Sequence, residues 1–388
     1  FLMYNDISAM SRLHRSASAQ MSRPAISIQK SGGWTFGSPS VLMMFYRAPG
    51  ELQSELQEMD ECMPHYYKIT NGHGQGAETI MRAEADFMRA CFADAQIMLE
   101  RAYAQIDGNG QENMALCCDF LAWRLSLCTS FTPRESFEQR REALLGLHNV
   151  AWLNILQSSC AYYYALLGLP EKIPAVFREH QLASIHFLAP GKPMMELIEN
   201  QVYLAQGEYA KVIGHSEALL GMCEAMHYAL VALHIRLQTA AAYEMLGKRE
   251  TADELLISAL AAAEPDALYL PFVENYRYLK TALTRGAGAK FAAFVRTVTP
   301  LGEDFVRRCG EKRAEGSRPA ALAGLTERES AIAALVAKRL SNREIAEQLF
   351  LSEGSVKQYI NQIYSKLLIT GDVRTKRKRL AELAAPKS

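Results

Sequence analysis

Between residues 325 and 367 the chain reads LTERESAIAALVAKRLSNREIAEQLFLSEGSVKQYINQIYSKL, a stretch that leaves room for little but three short helices with defined starts. Thr326 is followed three positions later by Glu329 and then by the apolar series Ile332, Leu335 and Val336, a capping-box spacing that opens a first amphipathic helix. Ser341 and Glu344 repeat the pattern ahead of Ile345, Ala346 and Leu349. After the tight connection Phe350-Leu351, Ser352 can cap a third helix, in which Val356, Ile360, Ile363 and Leu367 recur at spacings of four, three and four. This places one apolar stripe against the first two helices. At about 100° per residue, Gln358, Asn361 and Ser365 point away from the stripe, with Lys357 on its flank and Gly354 at the N-terminal end.

Amide and basic side chains on an open helix face suit the major groove, where Gln and Asn address adenine bidentately and Lys reaches guanine or a phosphate. An ordinary three-helix end-cap would share the amphipathic pattern; the conjunction of three caps at this spacing favours the nucleic-acid reader. Charge points the same way. Residues 318–388 hold 13 Lys/Arg against 7 Asp/Glu and the remainder 29 against 35, so a net +6 sits beside a net −6 under a whole-chain balance of zero. Arg374, Lys376, Arg377, Lys378 and Arg379 contribute most of it, although such a run alone is more often a solvated helix face.

The stretch resembles the C-terminal helix-turn-helix of LuxR-type regulators in LTERE, SNREIAEQL, LS, SVK and the closing KL. By that resemblance Lys357, Gln358 and Asn361 occupy the base-reading positions, and Ser341, Arg343, Ser355 and Lys366 are candidates for contacts to the DNA backbone. The resemblance also implies a fourth helix, from about Asp372 to Ala384, that pairs two copies on double-stranded DNA through Leu380 and Leu383. Two residues depart from the family pattern. Arg339 stands where Gly usually ends the first helix, and Tyr359 where His is usual.

With 388 residues, 49% of them hydrophobic, the chain can build two or three domains with ample core. No apolar run approaches the ~20 residues needed to cross a bilayer, so no membrane association is expected. The chain opens on Phe1 without a signal-peptide pattern, which reads as a cytoplasmic and N-terminally incomplete protein. Its eight cysteines lack metal-type CxxC pairs and read as reduced core residues; Cys117-Cys118 is the one close pair, and adjacency is poor disulfide geometry. The nine histidines form no HExxH or HxxxH pair, and no Ser, Cys or carboxylate constellation is legible, so neither metal binding nor enzymatic activity is expected.

From about residue 76 to 285 the chain is Ala-, Leu- and Tyr-rich and carries a faint repeat. Ala90, Phe92, Ala95 and Ala102 align with Gly207, Tyr209, Val212 and Leu219, and with Gly247, Arg249, Ala252 and Ala259, at offsets of two, five and twelve. That is the turn and second helix of a tetratricopeptide-like hairpin; Ala85 and Ala242 fit the first helix. Asn113 to Cys128 and Leu144 to Leu167 are also helical in pattern. The expected fold is all-α: a tetratricopeptide-like α-solenoid over residues 1–308, a flexible Gly- and Pro-containing linker over 309–324, and a small LuxR-type helix-turn-helix domain over 325–388.

The body further resembles the C-terminal half of large ATP-dependent LuxR regulators, of the kind that activates the maltose regulon, in WTFGSPS (34–40), ECMPHYYKITNGHGQGAE (61–78) and AAAYEMLGKRETADELLISALAAAEPDALYLPFVEN (240–275). Those proteins place an NTPase module before the repeats. No GxxxxGK[ST] occurs here: Gly72, Gly74 and Gly76 lack the following Lys-Ser/Thr, so no nucleotide cofactor is expected in this chain. The family likeness implies a small-molecule inducer or a protein partner on the repeats. Trp123, Trp152, Tyr162, Tyr163, Tyr164, Tyr203 and Tyr243 offer stacking surfaces for a ligand, though large aromatics at helical spacing are more often packing between repeats. The functional expectation is a sequence-specific transcription regulator whose repeats sense a signal and control dimerisation on DNA. The alternative is an interaction scaffold whose terminal helices do not touch DNA, and salt dependence separates the two.

Overall fold

The computed structural model describes residues 7–25, 39–185, 189–286, 290–316 and 324–384, and every regular element among them is helical. The chain divides into two compact units, Phe1–Cys309 and Gly310–Ser388.

In the first unit the helices run α1 Ile7–Gln20, α2 Val41–Phe45, α3 Leu52–Thr70, α4 Ala77–Met88, α5 Phe92–Ile106, α6 Glu112–Cys128, α7 Phe137–Leu145 and α8 Val150–Leu167. They continue with α9 Ala175–Arg178, α10 Lys192–Gln206, α11 Tyr209–Ala225, α12 Ala229–Met245, α13 Arg249–Ala263, α14 Leu270–Glu274, α15 Tyr276–Gly286 and the greater part of α16 Ala292–Gly316. Phe92, Tyr209 and Arg249, aligned by the sequence repeat, are the first residues of α5, α11 and α13. The turn residues Ala90, Gly207 and Gly247 all take left-handed backbone, at φ +59°, +77° and +75°. Each is followed by an amide bonded to the carbonyl five residues back: Cys91 to Asp86, Glu208 to Tyr203 and Lys248 to Tyr243, at 2.8, 2.9 and 2.9 Å. This six-to-one closure is one helix-ending motif used three times. It folds α4 on α5, α10 on α11 and α12 on α13, and α11 packs on α12 so that adjacent hairpins stack as a solenoid. Ala95, Ala102, Val212, Ala252 and Ala259 are fully buried where the paired helices cross, with Leu219 nearly so.

The pattern is less regular between these units. Asn113 to Cys128 lies within α6, but Leu144 to Leu167 is broken at residues 146–149, where His148 takes φ +54° before Asn149 caps α8. Gly72, Gly74 and Gly76 are left-handed residues in the α3–α4 turn, where Gln111 accepts from the Gly74 amide at 3.1 Å and donates to the Gly72 carbonyl at 2.5 Å. The triplet therefore builds a clamped turn. Residues 34–38 of the WTFGSPS motif lie outside the described residues; Ser40 caps α2 through a bond from the Met43 amide.

Two sequence expectations are corrected here. The linker expected from residue 309 begins as helix, because α16 runs on to Gly316 and Cys309 is buried; residues 317–323 of it lie outside the described residues. Cys91 is exposed, unlike the other cysteines, which are buried or half-buried; none of the eight is in a disulfide. No described helix is long and apolar enough to cross a membrane, and no His/Cys/Asp/Glu cluster among the described residues could hold a metal ion.

Candidate nucleic-acid interface

The second unit carries α17 Glu327–Ala337, α18 Asn342–Leu349, α19 Glu353–Lys366 and α20 Val373–Ala384. All three sequence-inferred caps are formed. The Glu329 amide donates to Thr326 Oγ1 at 3.3 Å while the Thr326 amide donates to Glu329 Oε2 at 2.7 Å, and Ser341 with Glu344 reproduces both bonds at the same distances. Ser352 accepts from the Ser355 amide at 3.0 Å to start α19. These reciprocal bonds satisfy amides that have no partner inside the helix.

Two tight turns then set the helices against one another. Arg339, where glycine would be easier, takes φ +63°, and Phe350 takes φ +53° after α18. In each case the next residue closes the six-to-one bond, Leu340 to Leu335 and Leu351 to Ala346. Ile332, Val336, Ile345, Val356, Ile360, Ile363 and Leu380 form an apolar core, so three residues of the stripe inferred for α19 are buried and the fourth, Leu367, is half-buried against it. Tyr359, the second departure from the family pattern, packs half-buried against it.

Burying that stripe leaves Lys357, Gln358, Asn361 and Ser365 on the exposed side of α19. Gln362 shares this exposure and was missed by the sequence reading. It stands about 130° from the stripe, the same angle as Asn361 on the opposite side, so helical periodicity alone could have found it. The outward face thus presents three amides and one ammonium side by side, a donor and acceptor set matched to base edges.

The backbone-contact candidates divide. Ser341 is exposed at the α18 N-terminus, its hydroxyl bonded to Glu344 Oε2 at 2.7 Å, and Arg343 is exposed with Glu347 at 3.2 Å. Ser355 is half-buried, with its hydroxyl 2.8 Å from that of Ser352. Lys366 is instead engaged within the domain, its ammonium 2.7 Å from the buried Glu329 carboxylate. The basic run is similarly mixed: Arg377 donates to Asn342 Oδ1 and the Leu340 carbonyl at 2.7 and 2.6 Å, whereas Arg374, Lys378 and Arg379 are exposed.

Of the dimerisation candidates, Leu380 is fully buried in the domain's own core, which is not a surface position, and Leu383 packs half-buried against that core. Among the described residues of this unit the exposed large apolar side chains are Phe350, Leu368 and Val373.

In the first unit, Trp123 and Trp152 are core residues rather than ligand platforms, since Trp123 is buried against Phe137 with its indole donating to the Glu135 carbonyl, and Trp152 is buried. Tyr162 is also buried, donating to Glu274, and Tyr163 and Tyr164 pack edge-on against each other and around Phe137. Tyr203 borders a cavity of about 780 Å³, its ring stacked 4.0 Å from His180, and Tyr243 borders another of about 870 Å³.

Residues 323–377 match the family model described as bacterial regulatory proteins, luxR family. The chain is 41% identical over 63 residues to transcriptional regulatory protein LnrK of Bacillus subtilis, covering 15% of this chain and 29% of that one. It is 39% identical over 46 residues to the DNA-binding transcriptional activator DevR/DosR of Mycobacterium tuberculosis, covering 12% and 21%. The chain thus spans less than a third of either relative. No solved structure matches it. The capped helices, the buried stripe and the family match coincide on one segment, and the C-terminal unit carries a LuxR-family helix-turn-helix domain.

Proposed function

We propose that the chain is a sequence-specific DNA-binding transcription regulator that lays α19 in the major groove and reads bases through Lys357, Gln358, Asn361 and Gln362. The observation that carries this is the division of α19 itself: its apolar side is sealed in the core while its amide side is open. Ser341 and Arg343, at the start of α18, supply backbone contacts, and the net charge of the C-terminal segment supplies the sequence-independent attraction. The relatives' names, a transcriptional regulatory protein and a DNA-binding transcriptional activator, support the same reading.

The helical body receives a small-molecule or protein signal and controls the pairing of two DNA-binding domains on adjacent half-sites. This part of the reading rests on the stacked hairpins, which present extended binding surfaces, and on the weakness of a single domain on DNA. Exposed Leu368 and Val373 are better placed for pairing than Leu380.

Selection of duplexes from a random pool by the full chain, followed by footprinting, tests the proposal. Enrichment of a repeated half-site is expected. Retention of duplexes with no sequence enrichment at any salt concentration would contradict it.

A further inference from the structure

A groove of about 870 Å³ lies along α12 between α11 and α13. Its floor is one face of α12, on which Ala232, Arg236, Thr239 and Tyr243 recur at offsets of four, three and four. Thr251, Leu255, Ser258 and Ala262 of α13 repeat the same offsets along one wall.

Two polar groups in this groove lack the partners their burial calls for. Arg236 is half-buried and forms no ion pair or hydrogen bond with any described residue, although most other half-buried arginines of this unit are matched to a carboxylate, as Arg140 is to Asp119 and Arg47 to Glu55. The Tyr228 hydroxyl, just before α12, is buried without a hydrogen-bond partner among the described residues, and the residue as a whole is fully buried. A buried hydroxyl left unbonded costs free energy, and a cation half removed from water attracts an anion more strongly than a surface one does. Burial pushes the Tyr228 hydroxyl pKa up, so it remains a donor throughout the physiological range. Glu217 and Glu224 on the α11 wall are exposed, and neither lies within ion-pair distance of Arg236.

We propose that this groove binds a small molecule bearing a carboxylate or a phosphate, its anionic group held by the Arg236 guanidinium and the Tyr228 hydroxyl and its body lying along Tyr243 and Leu255. The proposal rests on the regulator reading only in supposing that the body receives a signal, and it names the chemistry of that signal.

The test is calorimetric titration of the full chain with phenyl phosphate, 3-phenylpropionate and the neutral 3-phenylpropanol, with DNA binding measured separately without probe. Binding of at least one anion but not of the alcohol is expected, and the two anions distinguish phosphate from carboxylate. Arg236→Gln should weaken that binding by roughly tenfold or more, and Arg236→Lys by less. Tyr228→Phe should weaken it several-fold without lowering thermal stability, because the hydroxyl has no partner to lose; a purely structural tyrosine would show no change in binding. Should Arg236→Gln fail to fold, Tyr228→Phe decides. Absence of binding by either anion at millimolar concentration, or binding indifferent to both substitutions, overturns the proposal. DNA binding without anion binding would leave the regulator reading standing and remove this one, and anion binding without DNA binding would do the reverse.

Discussion

Lys366, the last residue of α19, sets its ammonium 2.7 Å from Oε2 of Glu329, the carboxylate that also closes the cap of α17. One buried carboxylate therefore starts the first helix of the DNA-binding domain and pins the end of the one that carries its outward amides. Replacing Glu329 by Ala removes both functions and is expected to destabilise this domain by about 1–3 kcal/mol. Lys366→Ala, with the lysine half-exposed, is expected to cost less than about 1 kcal/mol. Amide exchange over residues 325–384 reads both, because all three tryptophans, Trp34, Trp123 and Trp152, lie outside this unit. Equal losses from the two substitutions would argue against the dual role of Glu329.

The two units are expected to respond to pH in opposite senses. In the DNA-binding domain Glu329 and Glu344 are held below the ordinary carboxylate range: burial would raise Glu329, but bonds from Lys366 and Thr326 outweigh it, and the Ser341 amide and hydroxyl lower Glu344. Their stabilisation is present above the unfolded value of about 4.3 and is lost as pH falls through the folded one. In the body, burial pushes Glu55 and Glu84 up to about 7, so their contribution is full below the unfolded value and is lost as pH rises through about 7. Burial holds His234 well below its usual value, which costs stability only as pH falls below about 6.5. The denaturation midpoint followed by tryptophan fluorescence should therefore rise from pH 8 to 6.5, and Glu84→Gln should flatten that rise. A midpoint that falls over the same interval contradicts the assignment.

Ala90 and Arg339 both occupy left-handed helix ends, at φ +59° and +63°, and the repeat turns equivalent to that of Ala90 use Gly207 and Gly247. A side chain in this region costs roughly 1–2 kcal/mol, partly offset by the greater freedom of glycine in the unfolded chain. Ala90→Gly should raise the stability of the body, and Arg339→Gly that of the DNA-binding domain, each by about 0.5–1 kcal/mol. Chemical denaturation of the first and amide exchange of the second would show the gain, and a loss would mean that these turns are not strained.

Arg124 is fully buried between α6 and α14, donating to both carboxylate oxygens of Glu274 at 2.8 and 3.1 Å, with Tyr162 donating to the same carboxylate at 2.8 Å. The Phe87 and Phe120 rings flank the guanidinium at 4.9 and 5.2 Å. Glu274→Ala would leave the cation buried and uncompensated, at a cost of about 3–5 kcal/mol. Arg124→Met combined with Glu274→Leu should cost much less than that single change. If the double substitution is as damaging as the single one, packing rather than charge dominates at this site.

What was legible in the sequence was what local chemistry decides. Thr326, Ser341 and Ser352 announce helix starts by bonds within three residues, and Gly207 and Gly247 announce helix ends by backbone geometry. The stripe from Val356 to Leu367 oriented α19 because period and burial coincide. Tertiary packing decided the rest. Nothing within α20 distinguishes Leu380 as an internal core residue from a dimer contact, because both need an apolar side chain facing a partner. Trp123 and Trp152 look the same in sequence whether they face a ligand or a neighbouring helix. Arg377 left the basic run because it meets Asn342 and Leu340, some 35 residues away in the chain. Helix α16 passed through residue 309 because Cys309 and Phe305 have core to pack against, which outweighs the breaking tendency of the Gly and charge that follow.

Whether the open face of α19 reads DNA is decided by binding of the full chain to its selected duplex across a salt series, alongside Gln358→Ala/Asn361→Ala and Lys357→Ala. The double variant is expected to lose sequence discrimination, by about 1–3 kcal/mol for each bidentate contact removed, while still binding DNA in a salt-dependent manner. Lys357→Ala, if its partner is a phosphate, should weaken binding to all sequences and lower the salt slope by about 1. Unchanged discrimination in the double variant would mean that these amides do not read bases.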